Sequence, residues 1–235
     1  MRYRVWLLVC IILITVSPGS AQQVRKTYGG FGGFIFGASK QDMTGFNKTL
    51  KNSGYRTYEN QSWMYGGGGF AVLGRFLFGG ESHALMARNT VSENALYRVK
   101  LRGAVGQFKI GYILLQKGSI RFYPFVGLGD SDFILEIAER IPADFEDILD
   151  QPARASRLRV KATTIDAGWG VLHTLFDSGR RSGGGLAIGM QIGYRYTPAK
   201  NDWQRFGGDT EGRSIPLWNG PYATLLFGAA GFGVR

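Results

Sequence analysis

Cysteine is almost absent from this chain. Its single cysteine, Cys10, lies inside an N-terminal apolar run with bulky Val9 before it, which excludes a disulfide framework and argues against a lipoprotein signal. Histidine is scarce too, with His83 and His173 far apart. A structural metal site wants four converging ligands, so neither a metal nor a cofactor is expected. Beyond residue 21 no segment is long and apolar enough for a transmembrane helix. The glycine-rich runs lack the lysine and Ser/Thr ending of a phosphate-binding loop. The acids between Asp130 and Asp150 lack the spacing of a calcium loop, so a solvated loop is the expectation there.

What is present begins with a leader. Arg2 and Arg4 precede the apolar run Trp6 to Val16, and Gly19 and Ala21 supply small residues before a cut after Ala21. Residues 1–21 therefore read as a secretory signal peptide, with 22–235 as one exported domain. The chain carries 28 Lys plus Arg against 17 Asp plus Glu, a net charge of +11, which falls to +9 once Arg2 and Arg4 leave. Export argues against nucleic acid as the partner. Attraction to anionic lipid headgroups is the better expectation.

Glycine is abundant: 36 residues, about twice the usual share. Many of these glycines sit inside alternating apolar segments such as 29-GGFGGFIFG-37. Period-two alternation predicts strands over about 28–39, 62–72, 75–87, 97–115, 119–137, 158–176, 186–196 and 221–233. The first leaves its register open, with Phe31 and Ile35 on one face and Phe34 and Phe36 on the other. In the seventh, Ile188, Met190, Ile192 and Tyr194 oppose Gln191 and Arg195. In the fourth, Phe108, Ile110 and Tyr112 oppose Gln107 and Lys109.

Apolar faces of this length suit a closed antiparallel transmembrane β-barrel of eight strands, an all-β fold with short helices in its long loops. Phe108, Ile110, Tyr112, Ile188, Met190, Ile192 and Tyr194 are then expected to face lipid. Glu81, His83, Lys109, Arg121, Asp166, Gln191 and Arg195 are expected to form a paired polar network in the lumen. Tyr28, Trp63, Tyr97, Tyr194, Tyr196, Trp218 and Tyr222 suit interfacial girdles. Short links at Gly74, 116–118 and 177–184 alternate with long ones, as an even-stranded barrel requires. Pro124 needs a bulge or an unpaired position. Helices are expected over 42–54, with Thr44 as cap, Phe46 and Leu50 on one face and Gly54 as stop, and over 142–152.

These patterns, above all 66-GGGGFAVLGRFLFGGESH-83, 118-GSIRFYPFVGLG-129 and 222-YATLLFGAAGFGV-234, resemble the small eight-stranded outer-membrane barrels of Gram-negative bacteria, and most of all the uncharacterised barrels of the Bacteroidota. The chain departs from that class in placing Phe232 three residues before its last residue. The resemblance implies an outer-membrane location, lipid as solvent and the barrel-assembly machinery as a partner. It implies a non-enzymatic structural, binding or adhesion role and carries over no catalytic residue. Two other readings remain: a lipid-modifying enzyme using His83 near the outer rim, and a soluble lipocalin-like calyx with Ile188, Met190 and Ile192 inside. Ser82 and His83 are adjacent in a strand and point to opposite faces, so they make no simple catalytic pair.

Overall fold

The computed structural model describes residues 27–86, 90–91, 96–139, 155–175, 182–198, 203–205 and 219–234. The expected signal peptide, the helix over 142–152 and Trp218 lie outside them. Eight long strands form among the described residues: β1 (Thr27–Lys40), β2 (Gln61–Leu73), β3 (Phe76–Met86), β4 (Tyr97–Tyr112), β5 (Ile120–Glu139), β6 (Ala155–Leu175), β7 (Ser182–Tyr196) and β8 (Gly220–Val234). Each pairs antiparallel with the next, and β8 pairs with β1, so the sheet closes.

The register fixes the shape. From Tyr196 the paired positions run through Ile165, Leu128, Phe108, Gly80, Gly69, Gly32 and Ala229, and return to β7 at Leu186. The walk ends ten residues from its start, which is a shear of ten. For eight strands this means a tilt of about 40° and an interior just wide enough for side chains to fill. Ten residues at that tilt rise ~25 Å along the barrel axis.

Alternation then sorts the side chains. Phe31 and Ile35 turn inward, while Phe34 (81% exposed) and Phe36 turn outward, which settles the open register of β1. Leu186, Ile188, Met190, Ile192, Tyr194 and Tyr196 stand on the outside, and Gln191 and Arg195 are buried between them. A calyx with Ile188, Met190 and Ile192 inside is thereby overturned. Tyr28, Trp63, Tyr194 and Tyr196 are exposed near strand ends, but two of the expected girdle residues are not. Tyr222 is buried in the interior. Tyr97 lies on the inward-facing side of β4, edge-on to Tyr55 with ring centroids 6.4 Å apart.

On β4, β5 and β6 the apolar face changes side. Low on β5, Val126 and Leu128 are exposed; higher up, Phe133 and Leu135 are buried, with Asp132 and Glu136 now on the outward face. On β4 the outer Phe108 and Ile110 give way to the inner Val105, Leu101 and Val99. On β6 the outer Ile165 gives way to the inner Val160. The three changes fall at the height of Tyr196 and Trp63, where β7 and β2 end. β5 and β6, at 20 and 21 residues, run on past that height with β4 as a projecting wall.

The links differ from expectation in two places. The fourth strand does not stop at a 116–118 link. Gly111 pairs with Phe125 and Leu115 with Phe122, so one extra residue enters the β4 side. The bulge sits opposite Pro124, which has no N–H to donate there. The chain then turns at Gly118, with φ +58°, as it does at Gly74, with φ +66°. Thr44 is the first residue of helix α1 (Thr44–Asn52) rather than its cap. Its N–H donates to Asp42 Oδ1 at 3.1 Å, so the acid two residues earlier satisfies the first helical N–H.

Interior glycines make room for aromatic rings. A Cβ on Gly170 would lie 2.3–2.6 Å from the Tyr123 ring, whereas one on Gly106 would meet nothing within 4 Å. Gly170→Ala is therefore expected to cost about 1–3 kcal/mol by overpacking. Gly106→Ala should stay within about 0.5 kcal/mol of wild type. Urea unfolding of the refolded barrel, followed by tryptophan fluorescence, separates the two.

Candidate functional site

The interior is layered. Val72, Leu77, Tyr123 and Leu172 fill one end, and Val99, Leu101, Phe133, Leu135 and Val160 fill the other. Between them the strands bring charges together from separate parts of the chain. Such charges are tolerable in a dry interior only if they meet each other.

Lys109, with 0% of its surface exposed, is the hub. Its Nζ donates to the Glu81 carboxylate, to Gln191 Oε1 at 2.9 Å and to the Tyr222 hydroxyl at 3.2 Å, and lies 4.5 Å from the centre of the Phe125 ring. His83 Nε2 lies 3.0 Å from Glu81 Oε1. Gln191 Nε2 donates to the Tyr123 hydroxyl at 3.5 Å.

Beside this group, Arg195 grips Asp166 with both arms of its fork, Nε to Oδ1 at 2.9 Å and Nη2 to Oδ2 at 3.0 Å. Nη2 also donates to Gln107 Oε1 at 3.1 Å, and Gln107 Nε2 donates to Thr164 Oγ1 at 3.4 Å. Two cations thus face two carboxylates, with neutral amides and hydroxyls bonded around them.

Of the seven expected lumen residues, six meet here. Arg121 is also buried but sits toward the end of the barrel opposite the long loops. It donates to Thr174 Oγ1 at 3.2 Å and stacks 3.6 Å from the centre of the Phe232 ring. Tyr222, Tyr123, Gln107 and Thr164 join the network without having been assigned to it. Gln107 and Thr164 share strand parity with Lys109 and Asp166, which is the signal that finds them. Tyr222 was drawn to the girdle by its place at a strand end. The outer face of β8, set by Leu225 and Phe227, puts residue 222 inside.

His83 is buried and Ser82 is exposed on the opposite face, so the enzyme reading loses its candidate base at the rim. His173 lies on the outward-facing side of β6 near its lower end, far from His83.

Over the long-loop mouth lies α1. Phe46 and Leu50 are buried, and Phe46 stacks on Tyr58 and Trp203 with ring centroids 6.0 and 5.9 Å apart. The Asn47 side chain clamps the Tyr58 backbone from both sides, donating at 2.8 Å and accepting at 2.9 Å. Phe46, Leu50, Tyr58 and Trp203 thus form an apolar, largely aromatic cluster at the long-loop end among the described residues.

No protein-family model matches the chain. No curated protein matches it either. Among solved structures it is similar to Ail, the attachment invasion locus protein of Yersinia pestis, at 10% identity and a TM-score of 0.40, over 88% of this chain and 99% of that one.

Glu81 Oε2 and His83 Nδ1 have no hydrogen-bond partner among the described residues, so the network carries an uncompensated desolvation cost. Lys109→Met should then destabilise the barrel by about 3–5 kcal/mol, because it strands the Glu81 charge. The double variant Glu81→Leu/Lys109→Met should recover most of that loss. A urea double-mutant cycle in vesicles measures both.

Proposed function

We propose that this chain spans an outer membrane as a sealed, non-enzymatic barrel that presents its loop end for binding. The observation that carries the reading is the change of apolar side at one height on β4, β5 and β6. Below that height large apolar side chains point away from the interior over ~25 Å, the height of the apolar band of a membrane barrel. Above it they point inward, as in a sheet bathed in water. A single solvent does not account for both halves of one strand. Lipid around the lower part and water around the upper part does.

The polar layer and the apolar side chains on either side of it support the sealed lumen. What remains available to a partner is the long-loop end, so a structural or loop-mediated binding or adhesion role suits this geometry better than transport. Such a role requires a stable wall rather than a reacting group.

Expressed with its leader in a Gram-negative host, the mature chain should band with outer-membrane fractions on a sucrose-density gradient and shift in gel mobility on boiling. Recovery in the soluble periplasmic fraction would sink the membrane assignment. In planar bilayers the purified protein should give no stepwise conductance, and ohmic steps would overturn the sealed lumen.

A further inference from the structure

The projecting wall of β4–β6 carries an unusual outer face. Directly above the apolar band, Arg98, Lys100 and Arg102 of β4 and Arg157, Arg159 and Lys161 of β6 point outward on either side of Asp130, Asp132 and Glu136 of β5. Arg159 is tied to Asp132, and Glu136 lies 3.5 Å from Arg157 and 3.9 Å from Arg102. Six cations against three carboxylates leave this face at +3. Arg102 and Arg157 keep 57% and 44% of their side-chain surface exposed even while paired.

Position matters as much as charge. Arg102 and Lys161 lie about two residues above the height of Tyr196, roughly 5 Å along the axis, and Lys100 and Arg159 about two residues further. All four are within about 10 Å of the edge of the apolar band, which is about one Debye length at 0.1 M salt. They look outward, along the plane of the surrounding leaflet, and not into the mouth.

We propose that this face docks phosphate-bearing lipid headgroups of the leaflet around the barrel. The inference rests on the membrane reading above. Two columns of cations spaced across three strands meet several phosphates at once, and the planar guanidinium fork of Arg102, Arg157 and Arg159 matches phosphate oxygens two at a time. The acids of β5 hold the guanidinium groups in place between visits. Continuity with the apolar band supplies the second half of the ligand's chemistry, because acyl chains run down the wall below the charges. A soluble phosphate has no use for that band.

The test uses the full mature chain refolded into phosphatidylcholine vesicles, with and without 20 mol% lipid A as a diphosphorylated probe. Lipid A should raise the thermal midpoint of the wild type and remain bound in native mass spectra after detergent extraction. Retention should fall by roughly fivefold per cation removed in Lys100→Gln/Lys161→Gln. It should rise in Asp132→Asn/Glu136→Gln, a pair that guards against a variant that merely fails to fold. Lys48→Gln/Lys51→Gln on α1 should change nothing.

Equal retention in the wild type and the Lys100/Lys161 variant overturns the proposal. So does inorganic phosphate that raises the midpoint as much as lipid A, since the face would then be a soluble-anion site. Failure of every variant to float with the vesicles would sink the membrane reading along with it. Normal flotation without a lipid A effect sinks this inference alone.

Discussion

The barrel depends on a closed hydrogen-bond ladder that permits one register. In an open sheet a strand that slips by one residue inverts its own faces and little else. Here the ladder returns to β7 ten residues from where it began, so a slip in any strand changes the shear, the tilt and the width of the whole ring. The interior has no slack for such a change. Tyr123 fits over Gly170 and Tyr222 over Gly193 because those positions lack a Cβ. The glycine content that first marks the sequence is in part the space reserved for these rings.

The same closure explains why four charged side chains can sit in the middle of the molecule. Lys109 and Glu81 come from neighbouring strands, as do Arg195 and Asp166, so the ladder that seals the barrel also delivers each charge to its opposite. Gln107, Gln191 and the hydroxyls of Tyr123 and Tyr222 fill the geometry that two ion pairs alone would leave open. Apolar side chains on both sides lower the local dielectric and make each pairing matter more. A barrel lined this way has its middle filled by side chains that satisfy one another.

Much of this was legible in the sequence because charge and parity carry the same message. A buried Lys or Asp has few tolerable positions, so the alternation of β4, β6 and β7 marks which side chains are enclosed. Aromatic residues were less legible. Tyr222 and Tyr97 have an apolar body and a polar tip, so either face of a strand suits them, and only the register of the strand decides. The offset between β4 and β5 was also hidden, because a bulge is a relation between two strands and no single strand's periodicity records it. Pro124 announced that something must yield nearby, without saying on which partner. Residue preference alone favours Thr44 as the cap, but the helix starts at Thr44 and Asp42 receives its N–H.

The change of side on β4, β5 and β6 was present in the sequence all along, and it is the most informative feature of the chain. On β5 the exposed large apolar residues, Ile120, Val126 and Leu128, hold even positions, whereas Phe133, Leu135 and Ile137 turn inward at odd positions and Asp130, Asp132 and Glu136 take the outward ones beside Ile134, with no bulge between them on the β6 side. A strand does not rotate halfway along its length, so the inversion belongs to the surroundings and not to the backbone. Three neighbouring strands record it at one height, which an accident of composition in any one of them would not produce. On the proposed membrane reading, the chain encodes where its solvent changes and sets its outward cations immediately above that line. At such a boundary a long basic side chain can lay its methylenes against the apolar wall and lift its charge into the polar layer. The basic wall and the apolar band are therefore two halves of one adaptation to an interface.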